Sequence, residues 1–289
     1  MGDNNTAIAP EHRAELLEII RNFRLMDDTF MSKVFEDKEC SELLLRVILG
    51  RDDLTVVRVV SQFELKNLQG RSARMDIYAV DNKGKQYDIE VQRSDEGGNP
   101  KRARYNSSLL DTNSLLPGEK CDSLPESYVI FITEHDVLKG GKPLYTINRK
   151  ISEMNNAIFA DESHIIYVNG EARTETALGE LMQDFFCNDP NKMHYKVLSR
   201  RAGYFKEDKE GVDTMCKLME DYAEKRAREA AETAAKKAAE EAAKKAAKDT
   251  SINVAVELWN DGMRDMEKIA KLTKLSLNEV KNLSESSPA

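Results

Sequence analysis

The chain has 289 residues, 40% of them hydrophobic and 33% charged, with 43 Lys and Arg against 51 Asp and Glu. That apolar share excludes disorder throughout. The net charge of −8 excludes a protein that coats nucleic acid by bulk electrostatics, though not an enzyme that grips a few phosphates through a local basic patch.

Residues 1–23 read as a polar lead-in carrying a short helix, Glu11 to Phe23. Met1-Gly2 with Thr6 matches a myristoylation signal at too few positions to carry an expectation. The opening also lacks the basic stretch and apolar run of a secretory signal. No apolar run reaches the roughly 18–20 residues of a membrane span, so no membrane partner is expected and the expected location is cytoplasmic. Asp27 and Asp28 precede an apolar helix and read as N-caps, with Phe30, Val34 and Phe35 as its core stripe. Leu43, Leu44, Val47 and Ile48 recur at helical spacing and predict a buried helix over Ser41–Leu49. Val56–Val60 reads as a strand. Arg74–Asp81 and Gln86–Gln92 alternate about Asn82-Lys83-Gly84 and read as a hairpin. A helix is expected over Lys101–Thr112. The continuous apolar runs Tyr128–Ile132 and His164–Val168 read as strands buried on both faces, and Thr176–Cys187 as an amphipathic helix. This order predicts an α/β sandwich with a mixed central sheet over residues 24–205.

Beyond it, Ala227–Ala247 alternates Ala pairs with charged pairs, Lys236-Lys237, Glu240-Glu241 and Lys244-Lys245. A four-residue repeat drifts about 40° per step on a helix, so the Ala stripe spirals and forms no heptad seam. Residues 206–250 therefore read as a solvated helical spacer. Residues 251–289 read as a small helical tail, with a capping box at Ser276–Glu279 and the look of a helix-turn-helix. It has neither a long recognition helix nor a basic cluster, so a docking or dimer contact is the plainer reading.

Cys40, Cys121, Cys187 and Cys216 form no CxxC pair, which argues against a thiolate zinc site and fits free thiols in a reducing cytosol. The four histidines show no metal-ligand spacing; His135 and His164 read as satisfied neighbours of strands. Gly140-Gly141-Lys142 is too short for a phosphate loop and reads as a turn. Any metal chemistry must therefore come from carboxylates. A three-residue hairpin loop closed by Gly84 pairs Asp81 with Lys85 and sets Asp76 opposite Glu90. Directly opposed side chains share a face with Cβ atoms about 4.5–5.5 Å apart, and like charges so placed need a compensating cation. Magnesium fits, with Asp76 and Glu90 as ligands, the Val91 carbonyl as a third, and manganese able to substitute. Such a site suits phosphodiester hydrolysis. Arg93, Lys101, Arg102 and Arg104 would clamp phosphates, and Tyr105 would stack or donate a hydrogen bond. The same pattern also fits an ordinary solvent-facing hairpin edge.

Asp76 with Glu90-Val91-Gln92 resembles the core of the PD-(D/E)xK nuclease superfamily. The runs Asp27–Phe35, Arg74–Ile77, Ile89–Gln92 and Lys101–Tyr105 are similar to its recombination-promoting nuclease / putative transposase branch, over roughly residues 24–200. The resemblance implies a restriction-endonuclease-like core, a four-stranded mixed sheet flanked by helices, and magnesium-dependent cleavage of DNA in recombination or transposition. It maps Asp76 and Glu90 onto the two metal-binding acids and Glu42 onto an early acid that holds a second metal or orients water. Arg102 and Tyr105 match the helix after the core. Met75 stands where the family has proline and Gln92 where most of the superfamily has lysine. A neutral amide can position water but supplies no charge, so Lys66, Arg93 or Lys101 would supply it. The expected function is a metal-dependent DNA endonuclease, with Asp76, Glu90, Gln92 and Glu42 catalytic and a homodimer formed at least on DNA. Two readings stay open beside it: a catalytically weak module that binds nucleic acid or protein, and a phage-defence nuclease.

Overall fold

The computed structural model describes residues 10–67, 70–94 and 97–286. Met1, Gly2, Thr6 and most of the lead-in's polar start lie outside them. Two compact units are present, residues 1–219 and 220–289.

The first unit opens with three helices, α1 (Pro10–Asn22), α2 (Asp28–Phe35) and α3 (Lys38–Leu49). The Asp37 carboxylate accepts the Cys40 N–H at 3.1 Å and starts α3; Gly50, at φ 63°, ends it in the left-handed region open to glycine. Strands β1 (Val56–Leu65), β2 (Ala73–Asp81) and β3 (Gln86–Gln92) follow, then α4 (Pro100–Ser114) and β4 (Ser127–Thr133). The short strands β5 (Leu144–Ile147), β6 (Lys150–Ile151) and β7 (Ala157–Ile158) lead to β8 (Ser163–Asn169). Helices α5 (Ala177–Phe186) and α6 (Lys196–Glu207) precede α7, which runs from Lys209 to Asn260. The sheet order is β1-β2-β3-β4-β8-β5. β3 pairs antiparallel with β2 and parallel with β4, β8 runs parallel to β4, and the sheet is therefore mixed. It has six strands rather than four. β5 and the separate β6–β7 hairpin carry too little apolar alternation to read from sequence, and β1 runs five residues past its apolar start.

The apolar side chains divide between the two faces. On one, Ile77, Ala79, Tyr87, Ile89 and Val91 pack with α1, α2, α3, α5 and α6 in the larger cluster. On the other, Tyr78, Val129, Phe131 and Tyr167 pack against Ala103, Leu109 and Leu110 of α4. With helices on both faces, β3 is buried along its centre and is an interior strand, not a solvent-facing edge. Burying each large apolar side chain contributes roughly 1.5–3 kcal/mol.

The hairpin register is the one its turn dictates. Asp81 N–H donates to the Lys85 carbonyl at 3.1 Å, and the ladder runs Val80↔Gln86 to Ile77↔Ile89. Gly84 stands at φ 80°, and the Asp81 carboxylate accepts the N–H groups of Lys83 and Lys85 at 2.9 Å each. Across β2 from this ladder, Gln62 sits at φ 52° between the Ser61↔Ile77 and Phe63↔Met75 pairs. A left-handed residue inside a strand marks a kink. Met75 and Ile77, two residues apart, accordingly fall in opposite clusters, and Asp76 lies at the change of face.

In the second unit, α7 is solvent-exposed from Asp221 to Thr250. Ala255 near its end packs with Ile269 of α8 (Met266–Thr273) and Val280 of α9 (Leu277–Ser286). The capping box forms: Ser276 N–H donates to Glu279 Oε2 at 2.9 Å, and Glu279 N–H to Ser276 Oγ at 3.3 Å.

Gly211 tests the packing where α6 meets α7. A Cβ there would overlap the Tyr204 carbonyl oxygen. Alanine ordinarily stabilises a helix by up to about 1 kcal/mol over glycine. Here the sign reverses: Gly211→Ala is expected to cost about 1–3 kcal/mol, the range for overpacking, read as a fall in the denaturation midpoint.

Candidate active site

A cleft of about 1160 Å³ opens where β2 begins and β3 ends. Among the described residues that line it, Asp76 and Asp28 are acidic, and Arg71, Arg74, Arg93, Lys101, Arg102 and Arg104 are basic. Six cations in one cleft are concentrated far beyond the average of a chain whose net charge is −8. The sequence reading named four of the six. Arg71 and Arg74 flank the start of β2, and nothing in the local pattern ties them to Arg93 after β3 or to the three cations of α4.

Asp76 is fixed by its neighbour strand: Val91 N–H donates to its Oδ2 at 3.1 Å. N–H and C=O of one strand residue face the same edge, so the Val91 carbonyl also faces β2. Asp88, Glu90 and Gln92 project from β3 towards α4. Asp88 and Glu90 are fully buried. Asn106 of α4 donates to Asp88 Oδ2 at 2.9 Å and lies 3.4 Å from Glu90 Oε1. Asp88 Oδ1 is buried with no hydrogen-bond partner among the described residues. Glu90 Oε2 accepts from Gln92 Nε2 at 3.1 Å and forms a very short ion pair with Arg102. Arg102 Nη1 also donates to Gln92 Oε1 at 3.1 Å and to the Gly97 carbonyl at 3.3 Å. A Cβ at Gly97 would overlap Gln92 Oε1, so a larger residue there would displace the Gln92 amide.

Burial raises the pKa of each carboxyl. Asp76 is pushed up to about 6 by burial and by the nearby Asp28, against the Val91 N–H. Asp88 is pushed up to about 7 by burial and by Asp76, with Asn106 opposing. Glu90 is raised by burial and by Asp88 and Asp76, with Arg102 opposing. Asp28 is raised by burial, while Arg93 lowers it. A cluster that resists ionisation in this way is short of positive charge.

The remaining expected site residues fall in different places. Arg93 donates to Asp27 Oδ1 at 2.9 Å and lies 3.5 Å from Glu134. Asp27 holds the N-cap position of α2 but makes no side-chain cap; its other oxygen accepts the Arg24 N–H at 2.7 Å. The Tyr105 hydroxyl donates to the Arg71 carbonyl and accepts from Asn67 at 3.1 Å, so it braces the loop before β2. Lys101 and Arg104 are exposed on α4. Lys66 lines a separate cleft with Arg58 and Phe63. Glu42 is not brought to the cleft. It accepts the Val56 N–H at 2.9 Å and pairs with Arg46 at 2.7 Å, near the end of the sheet where Val56 opposes Asp81. Asp28, Asp88 and Asn106 complete the cluster from positions to which the sequence reading gave other roles or none.

Among the described residues no three His, Cys, Asp or Glu side chains are grouped to hold a metal ion. Asp76, Glu90 and the Val91 carbonyl offer oxygen donors only. They suit a hard cation that keeps several waters, such as magnesium, and not one caged by protein alone.

A family model described as PD-(D/E)XK nuclease family transposase matches residues 36–257, 222 of the 289. The chain belongs to this family. No curated protein and no solved structure matches it. Among the described residues, no helix is long and apolar enough to cross a membrane.

The raised carboxyls make stability fall with pH. Between about pH 4, where a free Asp ionises, and pH 7, the folded chain holds protons that the unfolded chain releases, so unfolding becomes easier as pH rises. Asp88→Asn removes the carboxyl with the unpartnered oxygen. It is expected to stabilise the metal-free protein at pH 8 by at least about 1 kcal/mol, about 2–4 °C in Tm for a domain of this size, with little change at pH 4. Thermal melts across that pH range check it.

Proposed function

We propose that this member of a nuclease and transposase family is a divalent-metal-dependent DNA endonuclease. The observation that carries the reading is a cleft whose described lining sets six basic side chains around the acids Asp76 and Asp28, in an otherwise acidic chain.

Arg74, Arg93, Lys101 and Arg104 bind backbone phosphates, which fixes the duplex without reading its sequence. Tyr105 holds the Arg71 segment in place to join them. Asp76, Glu90 and the Val91 carbonyl would hold magnesium, or manganese in its place. The ion would supply an activated water and offset charge on the attacked phosphate. Gln92 contributes orientation rather than charge. Its amide is bound to Glu90 on one side and Arg102 on the other, which leaves one N–H and one lone pair for a water. Glu42 acts structurally in this reading, tying α3 to the start of β1. Cutting both strands takes two copies, and the exposed helix 221–250 serves as a spacer between the nuclease core and the small helical unit.

Purified protein is expected to nick supercoiled plasmid with magnesium and not with EDTA. Asp76→Asn and Glu90→Gln should each lose on the order of 10²-fold or more, the scale of losing one transition-state charge contact, while Glu42→Gln stays within about threefold of wild type once folded protein is matched. Equal nicking by wild type, Asp76→Asn and Glu90→Gln would leave a binding module in its place.

A further inference from the structure

The ion pair between Arg102 and Glu90 bears on how the cleft takes up metal. Glu90 is fully buried, whereas the Arg102 side chain is 38% exposed and lines the cleft. Arg102 therefore stands between solvent and the carboxylate. The two hydrogen bonds that steady it beside Glu90, to Gln92 Oε1 and the Gly97 carbonyl, end on neutral oxygens. The guanidinium also lies over the Phe131 ring, 5.7 Å from its centroid. It is thus well seated, but among the described residues only one of its hydrogen-bond partners is an anion.

We propose that Arg102 and the divalent ion compete for Glu90, so that the site loads metal fully only when a DNA phosphate draws Arg102 away. The inference rests on the metal site assigned above. One carboxylate oxygen cannot keep a tight guanidinium contact and ligate a dication beside it, because the two cations repel at that distance. A phosphate in the cleft offers the guanidinium a bidentate anion in exchange. Metal and DNA then strengthen each other's binding, a coupling that is reciprocal by necessity. An enzyme built this way holds little metal until substrate arrives.

Calorimetric titration of the full chain with manganese, without DNA, tests the competition. Arg102→Met should bind manganese at least tenfold more tightly than wild type, and Asp76→Asn added to it should abolish the gain. Unchanged or weaker binding by Arg102→Met, with wild-type binding still lost in Asp76→Asn, overturns the competition and leaves the metal site standing. No manganese binding by either protein overturns both. A measurement on wild type does not depend on how that variant folds. Arginine modification by phenylglyoxal, mapped by mass spectrometry, should run at least threefold faster at Arg102 with saturating manganese, with Arg13 as the comparison; protection or an unchanged rate counts against the proposal. A short duplex should raise manganese affinity more in wild type than in Arg102→Met, and equal enhancement removes the role given to phosphate.

Discussion

A carboxyl group cut off from water must find positive charge or keep its proton. Strand β3 places two of them, Asp88 and Glu90, two residues apart on a face closed by α4. Everything around the pair answers that requirement. Asn106 lends one amide to both, Gln92 folds back onto Glu90, and Arg102 reaches from the first turns of α4 to supply the charge. The glycine at 97 leaves the Gln92 amide room in this position, since a Cβ there would overlap its oxygen. Removing Arg102 without supplying another cation would leave Glu90 buried beside other acids, which is the costly half of a broken buried pair.

The topology explains why this strain is placed at the mouth of a cleft. β3 lies inside the sheet, flanked by β2 and β4. Its side chains alternate between the large apolar cluster and the α4 face, so Ile89 and Val91 anchor the strand while Asp88, Glu90 and Gln92 are displayed opposite them. β2 runs beside it in register until Asp76, where the kink at Gln62 on β1 ends regular pairing. The freed Val91 N–H is then taken by the Asp76 carboxylate instead of a backbone carbonyl. One acid thus sits at the rim and another beneath it, joined by a strand edge. The basic side chains come from the loop before β2, the start of β2 itself, the segment after β3 and the start of α4, all of which meet at this end of the sheet.

The parts of this arrangement legible in the sequence were those governed by local rules. The loop Asn82-Lys83-Gly84 sets the pairing of Asp81 with Lys85, and strand alternation carries that register to the Ile77↔Ile89 pair. Thr176 and Ser276 announce the helices they cap. What was not legible depends on segments far apart in the chain. Asp88 reads as one more polar residue of an alternating strand until α4 is known to cover it. Asn106 reads as an ordinary helix residue until its amide is seen between two carboxyls. Arg102 reads from sequence as a phosphate clamp on the helix after the hairpin, but its bond to Glu90 spans twelve residues and a change of element, and no periodicity encodes it.

The acids of the N-terminal helices show the same limit from the other side. Glu42 lies on a helix before the sheet, which made it the natural match to an early acid. Its carboxylate is instead occupied at both oxygens, by the Val56 N–H and by Arg46. Asp28 reads from sequence as a cap, yet the residue in the capping position is Asp27, whose carboxylate turns back to the Arg24 N–H and out to Arg93. That leaves the first residue of α2 to face the cleft. There Asp28 is close enough to raise Asp76 and is itself raised by burial. The acid that the N-terminal helices contribute to the cleft is therefore Asp28. It gets there because Arg93, at the end of β3, holds Asp27 and with it the start of α2 against the sheet.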